Sequence, residues 1–69
     1  MRFCIEVENK DYGKIISETY SADDDQFEKI KYELTEKELT KLDFFDKQGD
    51  FIFLPNGVLN NSIIRIKKK

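Results

Sequence analysis

Cys4 is the only cysteine in a chain of 69 residues that has no histidine. Neither an intramolecular disulfide nor a Cys/His zinc site can therefore hold the fold together. A chain this short buries roughly 60% of the surface it exposes when unfolded. Its own packing, or pairing with another subunit, must make up the difference. The material for a core is six Phe, three Tyr and eight Ile, against a single alanine, Ala22. The length allows one domain, expected over residues 1–66 with a frayed basic tail at 67–69.

No stretch approaches the ~20 apolar residues that span a bilayer. Arg2 to Glu8 alternates like a folded strand instead of running into an apolar signal core. With one unpaired thiol, the expected compartment is the cytoplasm. The Lys/Ile/Phe/Asn-rich, Ala-poor usage suits an AT-rich genome, hence a low-GC bacterium or a phage-infected cell. Asn60-Asn61-Ser62 matches a glycosylation sequon, which is accidental in that setting.

The net charge of −2 is unevenly spread. Residues 18–50 hold eleven acids against five lysines, whereas Arg65 to Lys69 carries four positive charges. An acidic body repels phosphate backbones and favours a positively charged partner.

Phe3, Ile5 and Val7 fall on one face of a first strand, with Arg2, Cys4, Glu6 and Glu8 on the other. Asn9 to Gly13 reads as a turn, and Lys14 to Tyr20 as the second strand of a hairpin. Residues 27–34 fit two patterns. As a helix, capped by Ser21 or Asp23, they carry a Phe27, Ile30, Leu34 stripe; as a strand they alternate, with Ile30, Tyr32 and Leu34 inward. Thr35-Glu36-Lys37-Glu38 has the form of a capping box, and Leu34 to Leu39 breaks the helical phase, so the strand is favoured. A helix is then expected from Glu36 to about Lys47, with Leu39, Leu42 and Phe45 on one side and Gly49 at its end. Phe51 to Leu54, apolar on both faces, reads as a central strand. Pro55-Asn56-Gly57 reads as a tight turn, Val58 and Leu59 as the start of the partner strand, and Asn60 to Ser62 as a kink before Ile63 to Ile66.

The expected class is α+β: a small antiparallel sheet or partly open five-stranded barrel, in the order β-β-β-α-β-β, with one short helix. If residues 27–34 are helical, a four-stranded β-β-α-α-β-β sheet with helices on one face is expected instead.

Residue types argue against catalysis. There is no imidazole base, Cys4 has only Arg2 and Glu6 as close charged neighbours in sequence, and so short a chain has little left to wall a substrate cleft. The consecutive Asp23, Asp24 and Asp25 lack the alternate spacing and central glycine of a calcium loop. Pro55-Asn56-Gly57 has no phosphate-loop lysine. No cofactor or metal site is expected. The expected function is non-enzymatic protein binding: an inhibitor or regulator, of phage or mobile-element type, that meets a larger basic, nucleic-acid-handling protein through Asp23, Asp24, Asp25, Glu36 and Asp43. The stretch from Lys29 to Ile66, with its apolar strand, Pro-Asn-Gly turn and Ile-rich end, resembles small proteins of low-GC bacteria and their phages. That resemblance implies an accessory role through protein–protein contact.

The alternative is a single-stranded nucleic-acid-binding barrel, stacking bases on Phe51, Phe53, Phe3 and Tyr12 and meeting phosphates through Arg65, Lys67, Lys68 and Lys69. A homo-oligomer is compatible with both readings, with the Lys14 to Tyr20 edge as the pairing strand.

Overall fold

The computed structural model describes residues 1–35 and 40–69. Its elements are β1 (Arg2–Asn9), β2 (Gly13–Ile16), β3 (Tyr20–Ser21), α1 (Asp24–Thr35), β4 (Lys41–Phe45), β5 (Phe51–Pro55), α2 (Asn56–Leu59) and β6 (Ser62–Lys68). The chain is a small α+β fold, mostly strands, in two sheets.

β1 lies in the middle of the larger sheet. β6 pairs antiparallel along one edge, from Phe3 opposite Lys68 to Asn9 opposite Ser62, while β2 and β3 share the other edge. Between the pairs Glu6–Ile16 and Phe3–Tyr20, β1 contributes Cys4 and Ile5, and the facing chain contributes Ser17, Glu18 and Thr19. The extra residue makes a bulge, which bends the strand and redirects its pairing. Ser17 fills it. Its Oγ accepts the Ile5 N–H at 2.8 Å and donates to the Glu18 carbonyl at 2.8 Å. Beyond the bulge the chain meets the second sheet: Ser17 bridges Asp46, and the Glu18 N–H donates to the Phe45 carbonyl at 2.9 Å. That second sheet is the β4–β5 hairpin, from Lys41 opposite Pro55 to Phe45 opposite Phe51.

The core forms between the sheets and under α1. Phe3, Ile5, Val7, Phe27, Phe44, Leu54 and Leu59 are buried together. The Phe3 ring meets Phe27 edge-on at 5.3 Å and Tyr20 at 5.7 Å. Buried Asn9 ties the first turn to the last: its amide donates to the carbonyls of Val58 and Asn61 and to Ser62 Oγ, and its Oδ1 accepts the N–H groups of Asp11 and Tyr12. Gly13 completes that first turn at φ +82°, where a side chain would be strained.

Several segments depart from the sequence expectation. Residues 28–34 are helix, not strand, and the reason lies one turn upstream. The Asp23 N–H donates to Gln26 Oε1 and the Gln26 N–H to Asp23 Oδ1, a reciprocal capping box. Asp24 and Asp25 occupy the first turn, where the helix dipole favours acids, and Phe27, Ile30 and Leu34 pack on the core. Thr35 ends this helix instead of starting the next, its hydroxyl donating to the Lys31 carbonyl. The helix expected from Glu36 to Lys47 is not seen where the chain is described: residues 41–45 are β4, and 36–39 lie outside the described residues. Gly49, at φ +87°, closes the hairpin turn in which Asp46 Oδ1 accepts the N–H groups of Gln48 and Asp50. Pro55 precedes a short helix, α2, instead of a tight turn, and Val58 and Leu59 belong to that helix. Lys67 and Lys68 are part of β6 where a frayed end is expected, and the Lys69 N–H donates to the Arg2 carbonyl. β5 is no central strand, since among the described residues it pairs with β4 alone.

Candidate functional site

The two sheets present very different outer faces. On the larger sheet, strand alternation places Glu6 and Glu8 of β1 beside Lys14 of β2 and Arg65 and Lys67 of β6. The Glu6 side chain is only 5% exposed, because the long stems of its neighbours lie over it. Arg65 Nη1 donates to Glu6 Oε2 at 3.0 Å and to Glu8 Oε1 at 2.7 Å. Lys14 and Lys67 approach Glu6 Oε1 at 3.9 and 3.8 Å. The Arg65 hydrogen bond, reinforced by its charge, holds the Glu8 carboxyl below its ordinary pKa, and Glu8 and Glu6 in turn raise that of the guanidinium. This face is a closed network of charges that satisfy one another.

The smaller sheet is bare. Alternation in β4 and β5 sends Leu42, Phe44, Ile52 and Leu54 to the core, leaving Asp43 opposite Phe53 and Phe45 opposite Phe51 on the outside. Phe45, Phe51 and Phe53 are 48%, 59% and 52% exposed. Phe45 and Phe51 pack edge-on with ring centres 5.5 Å apart. Three adjacent phenylalanines in water are costly, and a contiguous apolar patch of this kind marks an interaction surface. Carboxylates flank it in sequence: Asp43 and Asp46 on β4 and its turn, and Asp50 before β5. Burial, with the charges of Glu18 and Asp43 adding to it, raises the pKa of the Tyr20 phenol.

The residues singled out in the sequence are scattered. Asp23 is spent as a helix cap, with Asp24 and Asp25 following it in the first turn of α1. Asp43 sits on β4 beside the aromatic patch. Glu36 lies outside the described residues. For the nucleic-acid reading, Phe3 is unusable at 1% exposure, whereas Tyr12, Phe51 and Phe53 are accessible. Arg65 and Lys67 belong to the charge network, and Lys68 Nζ lies 5.6 Å from the centre of the Phe27 ring. The sequence reading missed Phe45, which it assigned to a helix stripe, and the pairing of Phe45 with Phe51. The signal was present in Lys41 to Phe44, where polar and apolar residues alternate, so that continuing the strand puts Phe45 on the polar, outward side.

Among the described residues no group of three or more His, Cys, Asp or Glu side chains could hold a metal ion. No helix among them is long and apolar enough to cross a membrane. Buried Cys4 is a free thiol. The chain matches no family model, and comparison with curated proteins and with solved structures finds no match.

Proposed function

We propose that this protein acts by binding another protein, without catalysis, and that the aromatic face of β4–β5 is its docking surface. The observation that carries this reading is the row of exposed Phe45, Phe51 and Phe53. In a chain this short, three large apolar side chains kept out of the core are a substantial sacrifice of stability unless something covers them. Asp43, opposite Phe53 on the same face, favours a partner that offers Arg or Lys, whose cations can rest on phenylalanine faces while pairing with the carboxylate. A small acidic protein of this kind suits an inhibitor or regulator of a basic, nucleic-acid-handling protein, of phage or mobile-element origin, in the cytoplasm.

Affinity capture from a bacterial lysate tests it, comparing the parent chain with Phe51→Thr/Phe53→Thr and with Asp43→Asn. The expected result is one captured protein, lost in the double variant and weakened in Asp43→Asn more at low salt than at high. Capture unaffected by the double variant, or no capture at low and moderate salt, would overturn the reading.

A second reading draws on one observation: Arg65 and Lys67 form a short basic row on β6, with Lys14 across β1 on the same sheet face. Such a row could follow a single-stranded phosphate backbone. Glu6 and Glu8 already occupy these cations, and the exposed phenylalanines belong to the other sheet, which favours the protein-binding reading. Fluorescence anisotropy with short DNA and RNA single strands decides between them. Affinity that falls steeply with salt supports the nucleic-acid reading.

A further inference from the structure

The hairpin fixes which backbone groups of β5 point outward. The Asp46 N–H donates to the Asp50 carbonyl at 2.9 Å, so 46 and 50 form a hydrogen-bonded pair. Antiparallel alternation then makes 44–52 and 42–54 bonded pairs and 45–51, 43–53 and 41–55 non-bonded pairs. Phe45 confirms the parity, since its carbonyl turns away from β5 and accepts the Glu18 N–H. The N–H and C=O groups of Phe51 and Phe53 therefore point away from β4. Among the described residues no strand pairs with them. Pro55, which has no N–H, sits where β4 does not need one.

β5 is also the unguarded edge. Phe51 to Pro55 carries no charge, whereas the free edge of β6 carries Arg65, Lys67 and Lys68, the residues that discourage edge pairing. An uncharged groove of about 420 Å³ runs along β5, with Tyr12, Ile15 and Val58 among its lining residues.

We infer that two copies of this chain pair antiparallel through β5, in a register centred on Ile52. That register sets Phe51 opposite the partner's Phe53, and Phe53 opposite the partner's Phe51. All four outward N–H groups of the two chains then find carbonyls. Asp50 falls opposite the partner's Leu54, and Pro55 opposite the partner's Gly49, so no like charges meet. A register centred on Phe53 would set Phe51 opposite the partner's Pro55, which cannot donate to the Phe51 carbonyl. The inferred pairing turns two hairpins into one four-stranded sheet and merges both aromatic faces into a single row of six phenylalanines. It also supplies the buried surface that so small a domain lacks. It needs no other protein, and its failure would leave each aromatic face open to a partner.

Sedimentation of the full chain from micromolar to millimolar concentration, with amide hydrogen exchange by NMR at both ends of the range, tests the inference. The expected result is a monomer–dimer equilibrium in which the Phe51 and Phe53 amides exchange slowly only in the dimer. Phe53→Pro, which removes an outward donor and leaves the β4 ladder intact, should weaken the dimer by at least about tenfold, while Phe53→Leu retains it. A monomer at every concentration overturns the inference, and so does a dimer whose Phe51 and Phe53 amides stay unprotected. Protection of these amides only when a different protein is added overturns it too. If Phe53→Pro fails to fold, the amide exchange of the unaltered chain still decides.

Discussion

β1 and β5 invert what their sequences suggest. β1 alternates apolar and charged residues, the pattern of a strand with one wet face, yet Cys4 and Glu6 on that face are 3% and 4% exposed. β5 is apolar at every position, the pattern of a strand buried on both faces, yet Phe51 and Phe53 stand in water. Neighbours make the difference. β1 has strands on both sides whose long cationic side chains gather over Glu6, whereas among the described residues β5 has β4 on one side and nothing paired on the other. Residue type sets what burial of a side chain is worth, and position in the sheet sets whether burial happens. Where the two disagree without compensation, as at Phe51 and Phe53, a functional surface is the expected explanation.

The contrast can be broken most violently at β1. Phe3→Ala removes a ring packed against Phe27 and Tyr20 and should cost about 3–5 kcal/mol, enough to unfold much of so small a domain, as circular dichroism would show. The charge network is the next test. Glu6→Gln leaves Arg65, Lys14 and Lys67 without their shared carboxylate, and chemical denaturation should register a loss of about 1–3 kcal/mol; no loss would mean that the covering stems, and not the charge, bury this face. Glu8 gives a smaller, pH-dependent effect. Its folded pKa lies below the ordinary 4.5, so the folded state binds fewer protons than the unfolded state as the pH falls below that value. Its contribution is therefore complete above 4.5 and is lost as the pH drops through the lowered value. Thermal melts of Glu8→Gln should lack that part of the acid destabilisation seen in the parent.

Much of the architecture is legible in the sequence, and the largest departure lies around α1. β1 follows from alternation, the first turn from its turn residues, and the Phe51 to Leu54 and Ile63 to Ile66 strands from short runs of β-branched and aromatic residues. Over residues 28–34, Ile30, Tyr32 and Leu34 satisfy a strand period while Phe27, Ile30 and Leu34 satisfy a helical one. The caps settle it, because Asp23 and Gln26 can close only around a helix start. A helix starting at Thr35 would put Leu42 and Phe45 on one stripe, whereas the strand sends them to opposite faces. The aromatic face was illegible for a plainer reason. Phenylalanine in a short chain reads as core, and only the pairing of β5 with a single neighbour shows that Phe51 and Phe53 have no core to enter.

The smallest expected effect on stability is the most direct test. Chemical denaturation of Phe51→Thr/Phe53→Thr, in protein too dilute to associate, replaces two exposed rings with side chains that still favour a strand. The unfolding free energy should stay within about 1 kcal/mol of the parent. A loss as large as that of Phe3→Ala would show that these rings hold the fold together and would contradict their assignment to a docking surface.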